Sequence, residues 1–280
     1  DSNTTFAVSF SVEDFLKEGS SIFIQCVVDY IDNFGEYKSR VINLRLRCSR
    51  IIQQIFAGFL FDSIFCGLCK YFSSDPERMV ENIRKAEGLF VTALSLYKRA
   101  CAKETSSTQL VLPDSIKCIP ILLQSVLKYP QVQLNLQSRI ELCSRIMPLS
   151  IERTLRMFYP RLIQIPSLFT VSDIDDIQGE RLSLRSLNKE ESYLLDTGGK
   201  LILWMNKDTV EYLDEMMNSD IIINTINRLK EIYNVNIKVI NCVQGEQDAD
   251  FIGYMVEDQM GGYCKYQEYL SILHHKVSKK

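Results

Sequence analysis

Histidine is scarce in this 280-residue sequence, which contains two histidines and one tryptophan. His274 and His275 are adjacent near the polar tail, where chains are usually poorly ordered, so we take both as surface residues. A Ser-His-Asp or Cys-His site would need one of them beside a nucleophile. There is no Gly-x-Ser-x-Gly elbow, and the 12 glycines are too dispersed for a phosphate-binding loop. We therefore predict that the protein is not an enzyme and has no catalytic residue.

Long hydrophobic runs and a strong excess of one charge are also lacking. The most apolar window, Ile55–Leu68, is interrupted by Asp62 and is too short for a membrane span, so we predict a buried helix there. No signal peptide is recognisable at the start. The net charge of −3 does not suggest a nucleic-acid partner. We expect any membrane contact to be peripheral.

The nine cysteines are an odd number, so they cannot all pair within the chain. They lie in apolar patterns, as buried free thiols do, which favours a reducing compartment. Cys66 and Cys69 have the Cys-x-x-Cys spacing of redox and zinc sites. A structural zinc needs four ligands, and no second such pair or His pair lies nearby. We interpret the two residues as packed thiols, and we expect no metal and no cofactor here.

Acidic residues cluster in two places where carboxylates could supply oxygen ligands for calcium. Neither cluster has the Gly-centred spacing of an EF-hand loop, so we favour solvated loops, and Asp173 is also a candidate helix cap. The two clusters are Asp173, Asp175 and Asp176, and Glu246, Asp248 and Asp250.

The chain divides into three parts, which predicts an α+β multidomain fold. Residues 1–49 are rich in β-branched and aromatic residues, and a turn sequence begins at Asp32. Three strands cannot cover their own apolar face. We therefore predict partial β-sandwich strands, the C-terminal ones of a sandwich, pairing antiparallel over Phe6–Ser11, Ser21–Ile31 and Tyr37–Leu46.

Residues 50–158 show helical periodicity and short connections, which predicts an all-α helical domain. One helix is expected to start at Asp75-Pro76-Glu77, and Lys103–Thr108 is a polar linker. Pro120 lies inside an apolar helical pattern and predicts a kink there. Further helices are predicted at Pro113–Lys128, Leu134–Ile146 and Ile151–Phe158.

Residues 159–280 mix strand and helix patterns, which predicts an α/β domain with one sheet flanked by helices, able to fold as a separable unit. A hairpin is expected around Thr197-Gly198-Gly199-Lys200, and Trp204 on the following strand is a candidate core residue. Helices are predicted at Val210–Met217 and Ile221–Tyr233, a strand at Val235–Val243, and closing helices around Asp250–Val256 and Gln267–Val277.

Five blocks in a fixed order carry a resemblance to the cargo-adaptor subunits of the COPII inner coat, the Sec24 family. The first looks like the strand that closes that family's β-sandwich, the second like a phrase in its helical domain, and the others like parts of its gelsolin-like domain. The blocks are Tyr37–Leu44, Leu110–Lys128, Phe158–Leu162, Ser192–Met205 and Phe251–Leu270.

The resemblance implies a C-terminal fragment with sandwich strands at 1–49, a helical domain at 50–158 and a gelsolin-like domain at 159–280. It implies a cytoplasmic coat at the endoplasmic reticulum membrane that selects cargo and buds vesicles toward the Golgi. The implied partners are the GTPase-activating partner subunit, a membrane-bound small GTPase and cargo sorting signals, with no nucleic acid. Zinc is implied only upstream in the full-length family, and no site residue is carried over.

Two alternatives remain open at the level of sequence. The first is the homologous GTPase-activating partner subunit, which would stimulate GTP hydrolysis through an inserted arginine. The second is a calcium-regulated, actin-binding relative of gelsolin, which only the last domain supports.

Overall fold

The computed structural model describes residues 5–13, 15–101, 110–170, 174–188, 190–212, 218–233, 235–246 and 248–280. The predicted linker Lys103–Thr108 and the second half of the predicted helix Val210–Met217 lie outside these ranges. Within them, no helix is both long enough and apolar enough to cross a membrane.

The first part of the structure is an antiparallel hairpin of two strands, β1 (Ser21–Ile31) and β2 (Tyr37–Arg47). Asp32 closes the turn by accepting hydrogen bonds from the amides of Phe34 and Glu36 at 2.9 and 3.0 Å. The prediction of these two strands is confirmed. The predicted strand Phe6–Ser11 is wrong, because that segment has no regular structure and pairs with neither strand.

Both faces of this hairpin are open to solvent. Phe23 and Ile31 are 74% and 70% exposed on one face, and Val28 and Leu44 are 44% and 50% exposed on the other. Alternating apolar residues drive strand formation here without reaching a second layer within the described part of the chain.

The helical domain contains seven helices: α1 (Ile52–Ala57), α2 (Phe61–Ser73), α3 (Met79–Cys101), α4 (Ile119–Lys128), α5 (Pro130–Gln133), α6 (Leu136–Ile146) and α7 (Ile151–Phe158) among the described residues. Their apolar stripes meet in one core that includes Phe65, Phe72, Ile83 and Leu142. The N-caps fit the sequence. Asn135 and Ser150 each accept a hydrogen bond from an amide three residues later, which satisfies an otherwise free donor.

Two predicted helix starts are wrong in detail. The pattern at 113–128 is divided: a 3₁₀ turn at Asp114–Ile116 precedes α4, and Pro120 lies in the first turn of α4. There the missing amide costs no helical hydrogen bond, so Pro120 starts the helix and does not kink it. Similarly, α3 begins at Met79 and not at Asp75, although the Asp75 carboxylate accepts a hydrogen bond from the Arg78 amide at 3.2 Å.

The third part, called here the sheet domain, has four strands: β3 (Arg161–Gln164), β4 (Tyr193–Asp196), β5 (Lys200–Met205) and β6 (Lys238–Val243), in that spatial order. The first three pair antiparallel, and β6 pairs parallel with β5. The sheet domain also has helices α8 (Asp220–Tyr233) and α9 (Ala249–Ile252), and 3₁₀ segments at Ile165–Phe169, Ile174–Asp176 and Lys207–Tyr212.

Side chains alternate across β5, so the sheet has an apolar layer on each face. Leu201 and Leu203 join a core with Leu229 of α8, while Ile202 and Trp204 join a core with Phe251 of α9. The mixed helices and sheets confirm the predicted α+β fold class.

The last helix, α10 (Tyr266–Ser278), packs on the helical domain and not on the sheet. Leu273 and Val277 are fully or almost fully buried in the helical core, and the Ser95 hydroxyl of α3 donates to the Val277 carbonyl at 3.2 Å. The assignment of all residues 159–280 to one separable unit therefore needs correction for α10. The other two predicted boundaries stay predictions.

Candidate functional site

The most densely connected polar region lies where the sheet domain meets the helical domain. Its centre is Asp196, the last residue of β4, whose side chain is 1% exposed. Strand alternation in the Ser192–Met205 hairpin directs this carboxylate inward, and the turn that follows brings it beside α7.

Asp196 is held by groups from three directions. The Tyr233 hydroxyl donates to its Oδ2 at 2.6 Å, and the Gly198 amide donates to its Oδ1 at 2.9 Å. Arg161 of β3 and Arg156 of α7 lie 3.5 and 3.8 Å from Oδ2. Burial, and then the charge of Asp196, raises the pKa of Tyr233, so this phenol stays protonated and keeps donating.

A second node is centred on Glu257, which is 7% exposed. The Tyr159 hydroxyl donates to Oε1 at 2.8 Å, and Arg181 approaches Oε2 with Nε at 2.9 Å. Burial together with Glu257 raises the pKa of Tyr159. The Glu257 carbonyl also accepts from the Tyr266 amide at 3.0 Å, so the same residue fixes the start of α10.

Lys128, at the end of α4, joins this second node to the helical domain. Its ammonium donates to the carbonyls of Val256 and Asp258 at 2.6 and 2.7 Å. The side chain is 3% exposed, and burial lowers the pKa of Lys128 to about 8. One turn earlier, the Gln124 amide donates to the Cys264 carbonyl at 2.9 Å. Buried polar groups of α4 thus hold segment 256–264.

These contacts make the junction a structural element and not a reaction centre. The two buried carboxylates are ion-paired and hydrogen-bonded, and none faces a serine, cysteine or histidine in a catalytic arrangement within the described residues. Such a network orients one domain on the other, because a buried charge that loses its partner costs several kcal/mol, about 3–5.

Trp204 lies in the core of the sheet domain, as predicted, and is 4% exposed. Its ring stacks on Phe251 at a centroid distance of 5.2 Å and an interplanar angle of 16°. Tyr193 on β4 packs at 5.9 Å from the other side. An open cavity of about 520 Å³ borders this aromatic group, and its remaining lining residues are Leu184, Arg185, Leu187, Gln244, Asp248 and Ile252.

Cys66 and Cys69 are packed thiols in α2, as predicted, with exposures of 3% and 1%. The Cys66 Sγ lies 3.6 Å from the Thr154 hydroxyl, and burial raises the pKa of the Cys69 thiol well above its ordinary value. No cluster of metal-ligating side chains is found in the described part of the chain. The absence of a metal or cofactor stays a prediction.

The other sequence candidates are not brought together. Asp173 and the side chain of Asp175 lie outside the described residues, and Asp176 is exposed. Asp248 accepts a hydrogen bond from the Gly245 amide at 2.9 Å, which serves its own turn. His275 is exposed on α10, as expected, but His274 is half-buried and its Nε2 has no described hydrogen-bond partner.

Sequence reasoning missed Asp196, Glu257 and Lys128 as the polar centres of the junction. A signal was available for one of them, since Val256-Glu257-Asp258 stood out in the block that carried the family resemblance. The roles of Asp196 and Lys128 depend on contacts between distant parts of the chain, which periodicity does not encode.

Comparison with known proteins supports these observations. A family model described as a gelsolin repeat matches residues 175–252, which contain most of the sheet domain. Protein transport protein SEC24 B of Arabidopsis thaliana is 24% identical over 100% of this chain and 28% of its own length. SEC24 C of the same organism is 26% identical over 96% of this chain and 27% of its own length. Human Sec24C is 27% identical over 73% of this chain and 19% of its own length.

A solved structure shows the same fold. The crystal structure of the human COPII-coat protein Sec24c superposes with a TM-score of 0.75 at 21% identity, covering 95% of this chain and 38% of that one. The chain thus spans about a quarter of the curated relatives that it matches. The order of blocks, the whole-chain matches and the shared fold agree, and the chain belongs to the Sec24 family.

Proposed function

We propose that this chain is part of a non-enzymatic COPII inner-coat subunit that selects cargo for vesicles leaving the endoplasmic reticulum for the Golgi. The observation that carries the proposal is the match to protein transport proteins named Sec24 along 96–100% of the chain. The buried junction supports it, because its charged groups hold two domains in one orientation and leave no catalytic arrangement among the described residues.

In this proposal the subunit acts by binding. It pairs with the GTPase-activating subunit of the inner coat, docks with it on a membrane-bound small GTPase, and captures sorting signals of cargo. Individually weak contacts gain strength when several are made on one membrane surface. The protein works in the cytoplasm as a peripheral coat at the endoplasmic reticulum, and these 280 residues need no resident cofactor.

The two alternatives have less support. The relatives described above carry the Sec24 name, which favours the adaptor over its GTPase-activating partner. The gelsolin-repeat match covers residues 175–252 only, so an actin-binding relative leaves the helical domain unexplained.

A reconstitution experiment tests the proposal. The matching segment of human Sec24C is replaced by this chain, and the chimera is mixed with its partner subunit, a GTP-loaded small GTPase and liposomes. We expect the chimera to float with the liposomes in a GTP-dependent manner, as unmodified Sec24C does. The same swap made with human Sec24D, 26% identical to this chain, controls for the exchange itself.

Two outcomes would contradict the adaptor assignment. The first is stimulation of GTP hydrolysis by this chain alone, which the partner-subunit alternative predicts. The second is calcium-dependent sedimentation of this chain with actin filaments, which the gelsolin alternative predicts.

A further inference from the structure

A cleft of about 290 Å³ opens between the helical domain and the β4–β5 hairpin. This volume would hold on the order of ten water molecules at about 30 Å³ each, so a small polar group with an attached substituent fits. One wall comes from α6, α7 and their connection, and the other from the hairpin turn. The lining residues are Tyr129, Arg145, Pro148, Leu149, Arg153, Met157, Thr197, Gly198, Gly199, Lys200 and Tyr254.

The charge of this lining is one-sided. Arg145, Arg153 and Lys200 contribute three cations, and no acidic residue lines the cleft. None of the three forms an ion pair with a carboxylate in the described part of the chain. The neighbouring Arg156, in contrast, is paired with Glu152 and Asp196 at 3.8 Å each. The junction is therefore neutralised on one side and left positive at the cleft.

Local backbone geometry fixes the position of these cations. Gly198 has a φ of +74°, and a Cβ there would lie 3.0 Å from Arg156 Cβ and 3.3 Å from Arg153 Cα, so the turn is pressed against α7. Arg153 Nε donates to the Gly198 carbonyl at 2.9 Å. One guanidinium nitrogen remains only 3.8 Å from where a Cβ of Gly199 would stand. Only glycine leaves this approach open.

The remaining walls suit an apolar substituent. Pro148, Leu149 and Met157 line one side, and Tyr129 packs edge-on against Phe158 at 5.1 Å. Arg145 interacts with the Tyr129 hydroxyl, and Tyr254 lies close enough for its charge state to be coupled to Tyr129, Arg145 and Asp250. Burial raises the pKa of Tyr254 to about 12, so both phenols are neutral donors at physiological pH.

We propose that this cleft binds a phosphate monoester, with the phosphate held by Arg145, Arg153 and Lys200 and its apolar or aromatic carrier held by Tyr129 and Met157. Guanidinium groups recognise phosphate through paired charge-assisted hydrogen bonds, and a lysine adds a point charge. Because the two walls belong to different domains, the bound phosphate bridges the helical domain and the hairpin. This site is independent of the coat function proposed above.

Isothermal titration of the whole chain at low ionic strength tests this, with phenyl phosphate, inorganic phosphate and phenol as separate probes. We expect phenyl phosphate to bind more tightly than inorganic phosphate, and phenol not to bind. Arg145→Gln combined with Lys200→Gln should weaken phenyl phosphate binding by roughly tenfold per removed charge. Both side chains are exposed, so the fold should survive, and a melting curve verifies this.

The matched control removes two exposed cations elsewhere, with Lys17→Gln and Arg84→Gln, and should leave binding within about twofold of the unmodified chain. Flotation with phosphatidylinositol 4-phosphate vesicles distinguishes a lipid headgroup from a soluble source: sensitivity of flotation to the cleft variant assigns the phosphate to a lipid. The proposal is overturned if phenyl phosphate does not bind, or if the cleft and control variants weaken binding equally.

Discussion

At the scale of single residues, the structure distinguishes side chains that fill a core from those that join two domains. Trp204 was recognisable from sequence, because an aromatic residue within an alternating apolar run is typical of a central strand. Asp196 was not, since an acidic residue next to a hairpin turn is usually solvated. Only the fold places Arg156, Arg161 and Tyr233 around it.

Removing the Trp204 ring should destabilise the sheet domain. Trp204→Ala deletes the stack on Phe251 and leaves a cavity, so we expect the free energy of unfolding to fall by about 3–5 kcal/mol. Phe169→Ala, at a side chain that is 58% exposed, is the control and should change it by less than about 0.5 kcal/mol. Denaturant unfolding measures both. A stable Trp204→Ala protein would mean that the tryptophan serves a binding surface.

Lys128 should make stability depend on pH. Its folded pKa of about 8 lies below the ordinary value of 10.5, so between these values the unfolded chain binds more protons. The contribution of Lys128 is therefore least favourable below pH 8 and improves as the pH rises toward 10.5.

The measurement compares the unmodified chain with Lys128→Met, in which the titration of every other group cancels. The difference in unfolding free energy should shift in favour of the unmodified chain by about 1–2 kcal/mol between about pH 7 and about pH 9.5. A difference that stays constant over this window would show that Lys128 titrates normally.

At the scale of elements, helical periodicity predicted α6 and α7 to within two residues, and the turn chemistry predicted the β4–β5 hairpin. Pro120 was misread because an apolar pattern does not show where a helix begins. A 3₁₀ turn with similar spacing precedes α4 and makes the two segments look continuous. Phe6–Ser11 failed as a strand because alternation alone does not provide a partner.

The C-terminal helix α10 should stabilise the helical domain. Leu273 is fully buried in the helical core, whereas the adjacent Ile272 is 46% exposed. Leu273→Ala should therefore lower the unfolding free energy by about 2–5 kcal/mol, and Ile272→Ala should have a much smaller effect. Amide exchange that is accelerated by Leu273→Ala in the sheet domain, and not in α3 and α4, would place α10 with the sheet after all.

The β1–β2 hairpin should promote self-association. Its two open faces expose contiguous apolar side chains, and its long edges are unpaired within the described residues. Light scattering should show larger species for residues 1–280 than for a chain that starts at Arg50. If both chains are equally monomeric, the hairpin has a cover that the structure does not show.

At the scale of the whole molecule, composition and block order predicted the α+β class and the family, because both depend on local patterns that survive at 24–27% identity. The place of α10 could not be predicted in this way. A closing amphipathic helix fits either domain by pattern, and the choice is made by contacts such as the Gln124–Cys264 hydrogen bond, which joins residues 140 positions apart.

Vesicle release from endoplasmic reticulum membranes tests the central claim most directly. Microsomes are incubated with the small GTPase, the remaining coat subunits and the human Sec24C chimera that carries this chain in place of its matching segment. A labelled cargo protein is then counted in the released vesicles. Membership in a cargo-selecting coat predicts release comparable to that of the Sec24D swap. A chimera that folds and binds its partner subunit but releases no cargo-containing vesicles would contradict the account.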